Sequence, residues 1–468
     1  MLHSLAVPPQ REPMTTTTNE TLWSRSVLLG GRLQPARVTL SGEQVHSIEP
    51  GAAPATGDVD LGELVLMPGI VDTHVHVNEP GRTEWEGWDT ATAAAALGGV
   101  TTLADMPLNS DPVTTTLDAL GQKVASTTGK LRIDCALWGG VVPGNTGELA
   151  PMVRGGVRGF KCFLCPSGID EFPEVNPTDL RTAMPALRAL GVPLLVHAEI
   201  EAPLREASRL AVAQGDPRDY QVYLHSRPPE WENAAVAQMI ELCEETGCAV
   251  HIVHLSSAGA IDMLRRARAR GLPVTAETCP HYLCLRAEDV PPGGTAWKCA
   301  PPIRDAKNRE ALWAALDEGV IDFVVTDHSP CIPGLKLPEE GDFLRAWGGI
   351  ASLQLGLASV ATEARARGHS IARISQWMSA GPARLLGLSA GQIVPGARAD
   401  LVAWDPDAAF TVDGAALAHR HPLTPYQGRD LRGRVQRVWL RGHTIVDNGA
   451  LVGDPTGQIL SPLQVPDE

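Results

Sequence analysis

The sequence contains no apolar run of the roughly 18 residues needed to span a membrane. Its N-terminal segment also lacks the basic stretch and long apolar stretch of a secretory signal. These absences predict a cytoplasmic protein with no membrane partner. Basic residues are also scarce, with 39 against 54 acidic residues and a net charge of -15. Since polyanions are repelled by such a balance, nucleic acid is not expected as a partner.

Disulfide bonds are not expected either. The chain has nine cysteines, an odd number in a long sequence without an export signal, and such cysteines are typically reduced thiols. Cys162 and Cys165 have Cys-x-x-Cys spacing, but no second pair matches them. An isolated short motif is weak support for a redox or structural zinc site. We therefore assign this pair neither role.

The chain of 468 residues is long enough for one large barrel and a smaller domain. Residues 1–20 are rich in proline and threonine and predict a disordered leader, in which Met1 and Met14 are alternative starts. Short alternating segments in residues 21–66 return in residues 390–455. They predict one small β-sandwich domain formed from both chain ends.

Residues 67–389 alternate apolar strand-like runs with helix-like runs, as parallel β/α units do. The predicted strands begin near Gly69, Val100, Leu131, Val157, Val192, Ala249, Leu272 and Ile321. The clearest predicted helices are Thr90–Leu97, Asp179–Leu190, Glu232–Glu245, Ala258–Arg270 and Lys307–Leu316. We therefore predict an α/β fold, a (β/α)8 TIM-type barrel whose functional residues lie at the C-terminal ends of the strands.

Residues that can bind metal occur at several of these strand ends. His74 and His76 leave the same face of the first strand, although such a pair also occurs without a metal. The other strands contribute Lys161, His197, His254 and Asp327. Any one of these alone favours a structural role, but together, at matched positions, they predict a metal site.

The chemistry of this set favours a hydrolase. Four neutral imidazoles and a carboxylate suit zinc or another divalent ion, with one position open for water. Lys161 would be repelled by metal cations unless CO2 adds to its amine and forms a carbamate, which can bridge two ions. Such a pair activates water and polarises a carbonyl for amide hydrolysis. Asp327 is the predicted metal ligand and general acid/base.

Strand alternation separates the neighbouring histidines from this set. His251 precedes His254 by three residues, and His328 directly follows Asp327. On regular strands each would face the opposite side, so we interpret both as structural. His281, after the seventh strand, is predicted to line the site without binding metal.

Motifs along the barrel resemble the cyclic amidohydrolases, the family that contains dihydroorotase, hydantoinase and allantoinase, and are most similar to those of the allantoinases. The matching runs are Pro68-Gly-Ile-Val-Asp-Thr-His-Val-His, Glu79-Pro-Gly-Arg-Thr-Glu-Trp, Asp105-Met-Pro-Leu-Asn, Gly159-Phe-Lys-Cys-Phe, His225-Ser-Arg-Pro-Pro-Glu, His254-Leu-Ser-Ser-Ala, Glu277-Thr-Cys-Pro-His-Tyr-Leu, Asp327-His-Ser-Pro-Cys and Gly391-Gln-Ile-Val-Pro-Gly. The resemblance implies ring opening of (S)-allantoin to allantoate in purine breakdown. It also implies a homo-oligomer, with a tetramer favoured over a dimer.

The resemblance further implies two divalent ions per subunit, zinc first, with manganese or cobalt as alternatives. One ion would be held by His74, His76 and Asp327, and the other by His197 and His254. Lys161, as N6-carboxylysine formed with CO2, would bridge both. No ligand position departs from the family pattern, which disfavours an inactive scaffold of the same fold.

Fewer residues indicate which cyclic amide is the substrate. Dihydroorotases usually carry an arginine for the substrate carboxylate two residues after the second histidine, where this chain has Asn78. A neutral ureide needs hydrogen bonds instead, although Arg82 lies nearby. Candidate substrate contacts are Asn109, Ser329 and the backbone around Cys279, and each is equally explained by loop structure. Hydantoinase or dihydropyrimidinase activity is the alternative.

Overall fold

A computed structural model describes residues 19–462 of the chain. Its first strands are β1 (Asn19–Leu29), β2 (Arg32–Ser41), β3 (Gln44–Pro50), β4 (Val59–Asp60) and β5 (Val65–Pro68). Most of the predicted leader lies outside the described residues, but its last two residues, Asn19 and Glu20, belong to β1. This corrects the predicted boundary, because both pair with β2 and the Glu20 carboxylate accepts a hydrogen bond from Trp439 Nε1 at 2.9 Å.

Eight parallel strand positions follow in the middle of the chain. They are β6 (Ile70–Val75), β7 (Val100–Asp105), β8 (Asp134–Leu137) continued by β9 (Gly139–Gly140), β10 (Phe160–Phe163), β11 (Leu194–His197), β12 (Val250–Ile252), β13 (Val274–Thr278) and β14 (Phe323–Val324). Each begins within three residues of its predicted start. The barrel closes where the backbone N–H of His76 donates to the carbonyl of His328 at 2.8 Å.

Helices cover the outside of the barrel and form part of its mouth. They are α1 (Trp88–Leu97), α2 (Leu117–Ser126), α3 (Thr146–Arg154), α4 (Pro177–Leu190), α5 (Glu206–Gln214), α6 (Tyr220–Ser226), α7 (Pro229–Thr246), α8 (Ile261–Ala269), α9 (Pro280–Cys284), α10 (Ala306–Glu318), α11 (Pro333–Lys336), α12 (Gly356–Ala366), α13 (Ile371–Ser375) and α14 (Gly381–Leu385). The five predicted helices are confirmed, with ends shifted by a few residues. No helix between residues 19 and 462 is both long and apolar enough to cross a membrane.

The C-terminal strands return to the strands of the N-terminus. They are β15 (Leu401–Thr411), β16 (Asp430–Leu440), β17 (His443–Asp447) and β18 (Ala450–Leu451). The resulting nine-stranded sheet has the order β18-β17-β16-β15-β5-β1-β2-β3, with β4 beside β1. β5 joins the two halves, being parallel to β1 and antiparallel to β15. It then leads through Gly69 into β6, so this sheet fixes the strand that carries His74.

A buried cluster of charges ties the sheet to the barrel. Asp134 at the start of β8 forms ion pairs with Arg441 and with Arg398, the latter at 2.5 Å. Asp134 is 1% exposed, and it also accepts a hydrogen bond from the backbone of Gln458. A buried carboxylate is tolerated there because two guanidinium groups surround it.

We predict that Asp134→Asn lowers the free energy of unfolding by about 3–5 kcal/mol, because it leaves buried positive charge without its partner. Urea unfolding measures this loss. The exposed pair Arg25–Glu63 provides the control, because Glu63→Gln should cost less than about 1 kcal/mol. Equal stabilities of the two variants would contradict the assigned role of Asp134.

Candidate active site

The first group of predicted ligands meets at the mouth of the barrel. His74 lies in β6 and His76 directly after it, and their ring centroids are 5.6 Å apart. On the adjoining strand end, after β14, Asp327 Oδ1 lies 3.2 Å from His74 Nε2 and 3.7 Å from His76 Nε2. One ligand atom from each residue lies within 4.8 Å of the others. These three side chains can therefore hold a divalent metal ion.

Lys161 lies beside this group, on β10. Its Nζ atom is 3.0 Å from His74 Nε2, and the residue is 1% exposed. Burial lowers the pKa of Lys161 to about 8, although the charges of Asp327 and Glu277 act in the opposite direction. A larger fraction of the amine is therefore neutral near pH 7 than for a lysine in water.

The other two predicted ligands line the same cavity as Lys161. The ring centroids of His197 and His254 are 4.6 Å apart, and that of His254 is 5.4 Å from that of His74. His254 Nδ1 is buried and has no partner among the described residues. Burial lowers the pKa values of all four imidazoles, which keeps them neutral, the form that binds metal.

These histidines contact two buried carboxylates that the sequence pattern did not predict. Glu277 Oε1 lies 2.6 Å from His74 Nδ1, at the end of β13. Glu199 Oε2 lies 2.8 Å from His197 Nε2 and 2.7 Å from Arg227 Nη1. Burial alone would raise the pKa of Glu199, but Arg227 and His197 together lower it to about 2. The signal for Glu199 was its spacing, two residues after His197.

The predicted orientation of His251 was wrong. It lies in register with Lys161 through β11, so it faces the barrel interior, and its Nε2 contacts Glu277 Oε2 at 3.0 Å. Alternation failed because His254 lies beyond the end of β12 and has a φ of 38°. His328 has the structural contacts expected of it, with Nε2 3.2 Å from Glu86.

A cavity of about 70 Å³ lies among these side chains. Two predicted substrate contacts, Asn109 and Ser329, line it, and Asn109 Oδ1 is buried with no partner in residues 19–462. The third, Cys279, is not in the cavity wall. Its thiol is fully buried, and its carbonyl accepts the backbone hydrogen bond of Tyr282 at the start of α9. A substrate contact of the backbone around Cys279 stays a prediction.

His281 is likewise absent from the cavity wall. It is fully buried within α9, and a ring nitrogen lies within 4.8 Å of ligand atoms of Cys279 and Asp327. Neither ring nitrogen has a hydrogen-bond partner within the described ranges. His281 is thus close to Asp327, and a role in lining the site stays a prediction.

The cavity opens into a vestibule of about 470 Å³. Its wall includes Trp347 and Gly348, from a connection that offered no sequence periodicity by which to predict them. The connections at the mouth, residues 198–230, 280–305 and 329–352, contain α5, α6, α9 and α11. A larger cavity, of about 870 Å³ beside the start of α7, contains none of the predicted site residues.

The Cys-x-x-Cys pair forms no disulfide. Both thiols are free and buried, and Cys165 lies near His197 and Glu199. Burial raises the pKa of Cys165 to about 12, so the thiol stays protonated at neutral pH and is a poor metal ligand.

Comparison with known proteins agrees with this geometry. Residues 65–445 match the amidohydrolase family. The chain is 47% identical to an allantoinase of Streptomyces avermitilis over 94% of this chain and 98% of that protein. It is 44% identical to an allantoinase of Arabidopsis thaliana over 86% and 81% of the two chains. The chain belongs to the allantoinase family of the amidohydrolases.

This membership confirms the resemblance predicted from the motifs. Among solved structures, an L-hydantoinase (dihydropyrimidinase) of Arthrobacter aurescens superimposes with a TM-score of 0.89 at 29% identity. The match covers 95% of this chain and all of the other. The predicted barrel fold is thereby confirmed for this member of the allantoinase family.

Gly349 provides a test of the cavity wall. A Cβ atom at Gly349 would lie 2.1 Å from the carbonyl oxygen of Ser329, which must then move. We predict that Gly349→Ala lowers kcat/KM for a cyclic amide by about a hundredfold, since a displacement of about 1 Å can cost that much. Gly334→Ala is the control, because Gly334 lies in α11 outside the cavity wall and its Cβ would meet no atom within 4 Å. Similar rates for the two variants would contradict this assignment.

Proposed function

We propose that this protein hydrolyses the ring amide of (S)-allantoin to give allantoate, a step of purine breakdown. The observation that carries the proposal is the convergence of the predicted ligands, from five barrel strands, at one buried cavity. The identity to proteins named allantoinase supports the choice of substrate.

The side chains fit a centre of two divalent ions. His74, His76 and Asp327 would hold one ion, and His197 and His254 the other. Neutral imidazoles and a carboxylate suit zinc, with manganese or cobalt as alternatives. The unpartnered Nδ1 of buried His254 supports the fit, because such an atom is costly without a partner.

Lys161 would bridge the two ions as a carbamate. Addition of CO2 to the neutral amine forms an N–C bond and releases one proton, so that a neutral group becomes an anion. Burial favours the reactive neutral amine, since it lowers the pKa of Lys161 to about 8. The position of Nζ, 3.0 Å from His74 Nε2 and 5.2 Å from the Phe163 ring on which His197 stacks, supports the bridge.

Bound ions would lower the pKa of water and polarise the ring carbonyl. Asp327 would accept a proton as water attacks this carbonyl and deliver it to the ring nitrogen as the C–N bond breaks. Its carboxylate is suited to both transfers because it faces the cavity beside His74 and His76. The opened ring carries a carboxylic acid and a ureide N–H group, which together account for all atoms of the amide and the water.

A neutral substrate fits the polar groups around the cavity. Arg82 is engaged by the protein, since it donates to the carbonyl of Asn109 at 2.8 Å and pairs with Glu171 at 3.0 Å. Asn109 and Ser329 would instead make hydrogen bonds to the ureide. We infer a homo-oligomer, with a tetramer favoured, and a cytoplasmic location; both stay predictions.

Turnover by purified protein tests the function. With zinc and bicarbonate supplied, we predict a higher kcat/KM for (S)-allantoin than for hydantoin, dihydrouracil or dihydroorotate. Lys161→Ala should lose about a hundredfold or more, because a lost ligand weakens metal binding and activity. Lys307→Ala, at an exposed lysine, should match the wild type. Faster opening of hydantoin would favour the hydantoinase alternative, and no turnover with metal bound would favour the inactive scaffold.

The role of Asp327 has a separate test. We predict that Asp327→Asn lowers kcat by about 100- to 10,000-fold even in protein shown to be loaded with metal, because the amide cannot shuttle the proton. Metal analysis and steady-state kinetics on the same sample measure both quantities. Wild-type turnover with full metal loading would exclude Asp327 as the general acid/base.

A further inference from the structure

Glu199 has the position of a group that acts on the site through His197. Its side chain is 1% exposed, and one oxygen, Oε2, contacts both His197 Nε2 and Arg227 Nη1. His197 is the last residue of β11, whereas Arg227 lies in the short link between α6 and α7. A single carboxylate thus joins a strand-end histidine to the entrance of the barrel.

The contact selects one tautomer of His197. A carboxylate paired with a guanidinium only accepts hydrogen bonds, so the proton of the neutral imidazole must lie on Nε2. The lone pair is then on Nδ1. The His197 ring also stacks on Phe163, with centroids 4.4 Å apart and planes 13° apart, which opposes a flip of the ring.

In His74 the other ring nitrogen, Nδ1, contacts a carboxylate. Glu277 contacts its Nδ1 at 2.6 Å, which leaves Nε2 facing Lys161 and Asp327. Glu277 is also surrounded by imidazoles, with His251 at 3.0 Å, whereas Glu199 is paired with an arginine. The two carboxylates therefore orient histidines on the two sides of the site through different ring nitrogens.

We propose that Glu199, held by Arg227, is a positioning residue that fixes His197 as an Nδ1 ligand of the second metal ion. The inference rests on the proposed function, because it requires a metal at His197 and His254. It also implies that the residues between β11 and α7, which include Arg227, affect the affinity for the second metal ion.

Zinc binding to the metal-free full chain tests this role. Titration against a chromophoric chelator should show two zinc ions in the wild type. Glu199→Gln should bind the second about 10- to 100-fold more weakly, the usual cost of losing such a partner, and leave the first unchanged. Glu241→Gln is the control, because Glu241 is exposed on α7 and has no hydrogen bond or ion pair in residues 19–462.

Thermal unfolding of the metal-free variants separates positioning from stability. Unchanged affinity for both zinc ions in Glu199→Gln, with only a lower Tm, would overturn the proposal. If Glu199→Gln fails to fold, Arg227→Gln takes its place and should weaken the second zinc selectively. Two zinc ions in the wild type without allantoin turnover would reject the proposed substrate while leaving the role of Glu199 testable.

Discussion

The amine of Lys161 lies against His74 Nε2 inside the barrel, with almost no access to solvent. A buried ammonium beside metal cations would be strongly destabilising, so this position favours a neutral or modified lysine. The neighbouring imidazoles are kept neutral by the same burial. The barrel mouth therefore presents electron-pair donors rather than cations, which is the condition for holding divalent ions.

The fold supplies that condition through connections far from the cavity. β5 belongs to the nine-stranded sheet and continues almost directly into β6, so the register of the sheet sets the position of His74. At the closing seam, Asp72 in β6 accepts a hydrogen bond from Thr326 Oγ1 at 2.6 Å. The residue after Thr326 is Asp327. The two sides of the first metal position are thus fixed against each other by the seam.

Much of this arrangement is predictable from the sequence, because it follows from the periodicity of apolar residues and from the positions of polar residues at strand ends. Strand starts follow from apolar runs, and His74, Lys161 and Asp327 follow from the rule that barrel strands direct functional residues to one end. Glu277 meets His74 across 203 residues, and neither period nor spacing indicates such a contact. The same holds for Glu20 and Trp439, which are 419 residues apart. Their contact places Glu20 in the nine-stranded sheet and not in the predicted leader.

The other differences between the predicted and the observed site have local causes. A positive φ at His254 ends the alternation that placed His251 on the wrong face. Trp347 belongs to a segment whose path is set by buried Lys336, which donates to the carbonyls of Trp347 and Lys298 at 3.0 Å. Hydrogen bonds from a lysine to main-chain oxygens leave no periodic signal, so the shape of the vestibule was not predictable.

Anomalous diffraction at the zinc edge, from crystals of the zinc-loaded protein, would show directly whether two metal ions bind on either side of Lys161. We expect two peaks, one beside His74, His76 and Asp327 and one beside His197 and His254. Density for a carbamate on Lys161 should lie between them. A single peak, or two peaks on either side of an unmodified lysine amine, would contradict it.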